Sequence, residues 1–200
     1  ISTPRHTAYI KIAEGCSNHC SYCVIPEVRG NFRSRPVNSI VKEARTLALN
    51  GAKELILIAQ DTTRYGQDLY GTYALDKLLK EVCRIDEVEW VRVLYMYPTR
   101  VTDELIEVIA GEPKVCKYVD LPLQHVDNEL LRLMNRHGGH EEAQKTIGKL
   151  RQAIPEITIR STFIVGFPGE TEAKFRSLLD FLKEARLDRV GIFTYSPQSE

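Results

Sequence analysis

Residues 8–26 read A-Y-I-K-I-A-E-G-C-S-N-H-C-S-Y-C-V-I-P. The opening A-Y-I-K-I-A (8–13) predicts a short strand, and that strand feeds directly into a loop carrying Cys16, Cys20 and Cys23. Two thiols in a loop can form a disulfide, but three within eight residues need another explanation. The loop runs on through Arg29, Gly30 and Ser34 to Pro36. After it Ile40, Ala44, Leu47 and Ala48 fall at helical spacing, with Gly51 placed as a helix stop.

This strand, loop and helix open a repeating pattern. L-I-L-I-A (55–59) is a continuous apolar run of the kind found in parallel strands covered on both faces, and a helix through Leu75, Leu78, Leu79 and Val82 follows it. W-V-R-V-L-Y (90–95) precedes a helix carrying Val101, Leu105, Val108 and Ile109. Y-V-D-L (118–121) precedes helices around Leu130, Leu133 and Met134 and then Ala143, Ile147 and Leu150. I-T-I-R-S-T-F-I-V (157–165) leads through a Gly/Pro turn to a helix with Phe175, Leu178, Leu179 and Leu182, and V-G-I-F-T-Y (190–195) supplies a last strand. Six strands alternating with helices imply right-handed crossovers and a parallel sheet, either doubly wound or curled toward a barrel. Six units are too few for the closed eight-stranded barrel. In both architectures the loops leaving the C-terminal ends of the strands gather on one face, where ligands bind, and the cysteine loop leaves the first strand on that face.

The 200 residues are 43% hydrophobic and 27% charged, enough for one well-filled domain and unlike a disordered chain. Lys plus Arg equals Asp plus Glu, so no global basic field exists to hold nucleic acid or a membrane surface. Five cysteines, three of them at ligand-like spacing, favour a reducing, cytoplasmic setting over a disulfide framework. The first residues lack the pattern of a signal peptide, and no apolar run approaches the roughly 20 residues needed to span a bilayer.

Three readings of the cysteine loop stand open. A zinc knuckle needs four ligands and would recruit His19 or a distant cysteine. An electron-transfer iron–sulfur cluster also needs four thiolates. A cluster held by only three leaves one iron free to bind a reactant. The C-x-x-x-C-x-x-C spacing after the first strand of a βα array is the pattern of the radical S-adenosylmethionine superfamily, which the chain closely resembles. That resemblance implies an α/β fold, a partial (β/α)6 TIM-like barrel. It also implies that Cys16, Cys20 and Cys23 hold a 4Fe-4S cluster whose unique iron chelates S-adenosylmethionine. One electron then cleaves the sulfonium to give a 5′-deoxyadenosyl radical, and the hard chemistry belongs to the cofactors. Tyr22 stands where the superfamily commonly has an aromatic near the adenine, although it can equally pack the loop. Cys83 and Cys116 read as small buried hydrophobes.

Polar residues close the later strands: Gln60 and Asp61 after the second, Tyr95 and Tyr97 after the third, Gln124 and His125 after the fourth. Arg160 and Thr162 lie within the fifth. An arginine in an apolar strand is costly unless it meets a carboxylate or a polar cavity, and the S-adenosylmethionine carboxylate would be such a partner. V-G-F-P-G-E-T (165–171) lacks the spacing of a phosphate loop. By resemblance it is the turn whose backbone, at Val165 and Gly166, approaches the adenine. Arg29, Arg33 and Arg35 form a local basic group, either a solvated loop or a rim for a macromolecular substrate.

Within the superfamily the chain most resembles the methylthiotransferases, over essentially its whole length, through E-G-C-S-N-H-C-S-Y-C-V-I-P followed by R-G-N-F-R-S-R-P (29–36). One branch modifies an adenosine beside the tRNA anticodon; the other adds a methylthio group to the β-carbon of an aspartate in ribosomal protein S-12. I-A-Q-D-T-T-R-Y-G (58–66) is similar to the A-Q-D-T-T-x-Y-G of the S-12 branch, where the tRNA branch has G-Q-N-V-N-x-Y. Y-M-Y-P (95–98), D-L-P-L-Q-H (120–125) and F-I-V-G-F-P-G-E-T (163–171) also resemble the S-12 branch. Whole members carry an N-terminal domain with a second 4Fe-4S cluster and a C-terminal TRAM domain, so residues 1–200 read as a single radical core cut from something longer. The implied partners are S-12, free or on the small ribosomal subunit, and a flavodoxin-type electron donor. Nucleic acid enters only on the tRNA reading, and a non-enzymatic zinc module is the remaining alternative.

Overall fold

The computed structural model describes residues 4–197. Ile1–Thr3 and Gln198–Glu200, the outermost residues of the expected 1–200 domain, lie outside the described residues. Strand β1 (Thr7–Lys11) is followed by the two-residue β2 (Ala13–Glu14), the cysteine loop, the short helix α1 (Ile25–Arg29), the two-residue β3 (Arg33–Ser34) and α2 (Val37–Leu49). Next come β4 (Glu54–Ile58), α3 (Gln67–Tyr70), α4 (Leu75–Cys83), β5 (Trp90–Val93), α5 (Asp103–Gly111) and β6 (Tyr118–Asp120). The chain continues through α6 (Asn128–Leu133), α7 (His140–Ala153), β7 (Thr158–Val165), α8 (Glu172–Ala185) and β8 (Arg189–Thr194).

Local chemistry accounts for these boundaries. Leu55, Ile56 and Leu57 are buried in succession in β4, as expected of a strand covered on both faces. Ile40, Ala44 and Ala48 form the buried stripe of α2 at four-residue spacing. Three helices begin at side-chain caps: Thr102 accepts from Leu105 N (3.2 Å), Asp127 from Leu130 N (2.9 Å) and Thr171 from Lys174 N (3.4 Å). Each occupies one of the donors a helix start leaves unpaired.

β1, β4 and β5 pair in parallel in that order, and β6, β7 and β8 form a second parallel set. Bonds between backbones link the two sets: Val91 N to Lys114 O (2.8 Å), Cys116 N to Val91 O (2.9 Å) and Met96 N to Asp120 O (2.9 Å). The six principal strands therefore follow one another in chain order, with no reversal. A doubly wound sheet requires such a reversal, so the curled alternative is the one adopted. The short antiparallel β2–β3 pair closes the base of the cysteine loop and has no counterpart in the periodicity.

One apolar core runs through the molecule, joining Ile10, Leu57, Val93, Val119 and Phe163 of the strands to Leu78, Ile109, Leu150 and Phe181 of the helices. A smaller cluster of Leu130, Leu131, Met134 and Phe167 lies beneath the cysteine loop, with Tyr22 packed against it. No helix among the described residues is long and apolar enough to cross a membrane.

Candidate functional site

The loops at the C-terminal ends of β1, β4, β5 and β6 enclose a cavity of about 410 Å³, within the range of small-molecule sites. Cys16, Cys20 and Cys23 line it together with Tyr22, Gln60, Asp61, Tyr97 and Arg136. Cys16 is buried, whereas Cys20 and Cys23 are half-buried, and none is in a disulfide. Burial pushes the Cys16 thiol up.

The loop has little freedom. Gly15 has φ +76°, and a Cβ there would run into the carbonyl oxygens of Gly30 and Asn31. Cys16 N donates to Gly30 O (3.1 Å), and Phe32 N donates to Ser17 Oγ (3.1 Å). Gly15→Ala is therefore expected to cost about 1–3 kcal/mol through backbone strain and to lower metal loading. Denaturation midpoints with iron determination check this, and a wild-type midpoint would contradict it. The opposite side of the loop is tied to the end of α6. Ser21 N donates to Met134 O (3.0 Å), Ser21 Oγ to Leu133 O (2.9 Å) and Asn135 Nδ2 to His19 O (2.8 Å).

Asp61 anchors the third side. Its Oδ2 accepts from Asn18 Nδ2 (3.0 Å) and from Arg100 Nη1 (2.5 Å), and its Oδ1 accepts from Thr63 Oγ1 (2.6 Å). Thr63 Oγ1 accepts in turn from Tyr97 N (3.0 Å). Among the described residues two wall atoms have no partner: the buried Asn18 Oδ1 and Gln60 Oε1 are orphan acceptors. Orphan acceptors call for donors, and an ammonium or hydroxyl group of a ligand supplies them. The site thus has three thiols, an apolar lining and unfilled acceptors, which suits a cluster carrying a polar nucleoside-like ligand. Among the described residues no three His, Cys, Asp or Glu side chains converge closely enough to hold one metal ion. A mononuclear zinc site needs four ligands converging on one ion, whereas a cubane offers each thiolate its own iron.

Of the other expected ligand residues, Tyr22 and Gln60 share this cavity, whereas Gln124, Arg160, Thr162, Val165 and Gly166 lie outside its walls on the adjoining β6–β7 side. Arg160, itself partly exposed, finds its carboxylate within the protein, donating from Nη1 to the fully buried Asp120 (2.9 Å), so it needs no ligand for a counter-charge. Gln124 adopts φ +71°, and its N donates to Thr162 O (2.8 Å) while its Oε1 is a third orphan acceptor. Gly166 N donates to Glu170 Oε2, leaving no free amide there for a phosphate. Glu170 Oε1 also meets the buried His125 at Nε2 (3.2 Å), while His125 Nδ1 accepts from Asp127 N (3.0 Å). The basic group is dispersed: Arg35 pairs with Glu43 (2.7 Å), Arg29 stands 4.0 Å from Glu14, and none of the three lines the cavity.

The sequence reading missed two site residues, Asn18 and Arg136. Arg136 Nη1 points at Cys20 Sγ (3.9 Å) and Tyr22 Oη (3.4 Å), its Nη2 donates to Pro122 O, and its guanidinium lies 4.5 Å from the centre of the Tyr97 ring.

Comparison with known proteins agrees with this geometry. A relative from Desulforamulus reducens, named ribosomal protein uS12 methylthiotransferase RimO, is 56% identical over 99% of this chain and 45% of its own length. A second, of the same name, from Moorella thermoacetica is 60% identical over 96% of this chain and 44% of its own. The chain thus spans under half the length of the curated relatives it matches. In fold it resembles the radical S-adenosylmethionine methyltransferase TsrM of Kitasatospora setae, with a TM-score of 0.75 at 20% identity over 94% of this chain and 36% of that one. The sequence model of the radical SAM superfamily matches residues 10–182, which takes in the cysteine loop and every strand from β4 to β7. With that match laid over a curled six-stranded sheet whose thiols share one cavity, the chain belongs to the radical SAM superfamily.

Proposed function

We propose that this chain is the radical-generating core of a longer methylthiotransferase that modifies the β-carbon of an aspartate in ribosomal protein uS12. The observation that carries the reading is the convergence of Cys16, Cys20, Cys23 and Gln60 on one cavity, in a chain more than half identical to relatives named for that activity. Bound there, a 4Fe-4S cluster and S-adenosylmethionine supply one-electron cleavage and hydrogen abstraction from an unreactive C–H bond.

The protein's residues bind, orient and exclude water. Cys16, Cys20 and Cys23 ligate the cluster, with Cys16 on the buried side. Gln60 and Asn18 present their orphan acceptors to the ligand's donors, and Tyr22 offers a ring packed against the small apolar cluster of α6 and Phe167. Gln124, Arg160, Thr162, Val165 and Gly166 extend the ligand surface toward β7. Sulfur supply belongs to a second cluster in the remainder of the longer protein, and a flavodoxin-type reductant delivers the electron.

The test offers uS12 and tRNA separately to the reconstituted full-length protein with S-adenosylmethionine and a reductant. A methylthio mass gain is expected on uS12 alone. A gain on tRNA alone would overturn the substrate assignment, and a colourless preparation with zinc and no iron would overturn the cluster.

A further inference from the structure

Arg136 is a cation beside a proposed cluster ligand, and no carboxylate accompanies it. Among the described residues its polar contacts are Cys20 Sγ, Tyr22 Oη and Pro122 O, with the Tyr97 ring against the guanidinium, and no Asp or Glu pairs with it. Arg100 makes the contrast plain. It also lies over the Tyr97 ring, at 4.3 Å, but Asp61 neutralises it at 2.5 Å. Two guanidiniums share one ring and only one has an anion. A half-buried cation needs a counter-charge, and the nearest candidate is the sulfur of Cys20.

The placement is fixed by its neighbours. Met134 O and Asn135 Nδ2 bind the cysteine loop at Ser21 and His19, and His137 N donates to Tyr97 Oη (2.9 Å). The residues on both sides of Arg136 are therefore tied down, which fixes the backbone from which its side chain reaches Cys20, Tyr22 and Pro122.

We propose that Arg136 is a positioning residue that tunes the cluster, its N–H directed at the Cys20 sulfur so that the added electron is stabilised and the reduction potential raised. This rests on the ligation of the cluster by Cys20. Hydrogen bonds and charge near cluster sulfurs are among the factors that set such potentials. The step concerned is uptake of one electron from an external reductant, with no bond made or broken in the protein.

The test is an EPR-monitored redox titration, with dithionite as reductant, of the reconstituted full-length protein and of Arg136→Gln, Arg136→Met and Arg136→Lys. Iron and sulfide in the unmutated protein check the cluster reading separately; their absence defeats that reading before any variant is compared. With the cluster present, the two neutral variants are expected to keep their iron while the reduction equilibrium weakens at least about tenfold, a shift of about 59 mV to more negative potential for one electron. Arg136→Lys, which keeps the charge, is expected to shift less. A wild-type potential in a loaded neutral variant overturns the proposal. Loss of iron from both neutral variants while Arg136→Lys loads normally overturns it too, because the charge would then be required to assemble the cluster and not to set the potential of the assembled one.

Discussion

Cys16→Ala, Cys20→Ala and Cys23→Ala are each expected to abolish iron and sulfide binding and to reduce reductive cleavage of S-adenosylmethionine by more than about 100-fold. Loss of outer-shell partners alone costs metal sites about 10–100-fold, and a direct ligand contributes more. With the three proposed ligands replaced one at a time there is no spare thiol in the cavity: the remaining cysteines are Cys83, at the end of α4, and Cys116, just before β6. Both serve as controls. Burial pushes the Cys83 thiol up to about 12, and burial also raises that of Cys116, so each stays a protonated thiol at neutral pH. Cys83→Ala and Cys116→Ala should therefore load and turn over as the wild type does. Anaerobic reconstitution, metal and sulfide assays and detection of 5′-deoxyadenosine check the set. Wild-type iron and cleavage in any of the three loop variants would sink the assignment, as would loss of the cluster from a control variant that folds normally.

How much of this was legible in the residues depends on distance along the chain. Each of the six strands expected from periodicity is present, with ends displaced by only a few residues, because the apolar patterning of L-I-L-I-A and its counterparts is a local property, although Val190, Ile192 and Phe193 of β8 stay exposed. The choice between doubly wound and curled sheets was not local, since it depends on which strands pair. The same limit explains Arg160. The sequence shows an arginine that needs a carboxylate, but only the register that places Asp120 beside Arg160 reveals that the partner is one strand away. Arg136 was invisible for a related reason: it meets Cys20 across 116 residues, and no spacing rule links a loop after α6 to a loop after β1. Its only signal was a basic residue in M-N-R-H-G-G (134–139), beside an apolar helix end. Tyr22 carried two readings, loop packing and ligand contact, and its position against the small apolar cluster while lining the cavity accommodates both.

The Q-D-T-T stretch (60–63), one of the stretches on which the resemblance to the S-12 branch rests, acts here as a structural tie, and the second large effect is expected at its aspartate. Asp61 is 1% exposed and binds Asn18, Arg100 and Thr63 at once. Asp61→Ala leaves the Arg100 guanidinium, itself largely buried, without its counter-charge, and breaking such a pair from one side costs about 3–5 kcal/mol. Asp61→Asn keeps an acceptor and the volume but not the charge, so a smaller loss of about 1–3 kcal/mol is expected. Because Asn18 sits between Cys16 and Cys20, losing its anchor also loosens the ligand loop, and iron content should fall in parallel with stability. Removing both charges separates the two causes. In Asp61→Ala/Arg100→Met no guanidinium is stranded, so stability should recover part of the loss while iron content stays low, since Asn18 remains untethered. Urea denaturation at constant m value, read beside the iron-to-protein ratio, distinguishes these outcomes. An Asp61→Ala midpoint equal to that of the wild type would show that the buried pair does not hold the loop. Iron restored in the double variant would show that the stranded charge, and not the lost tether, had emptied the site.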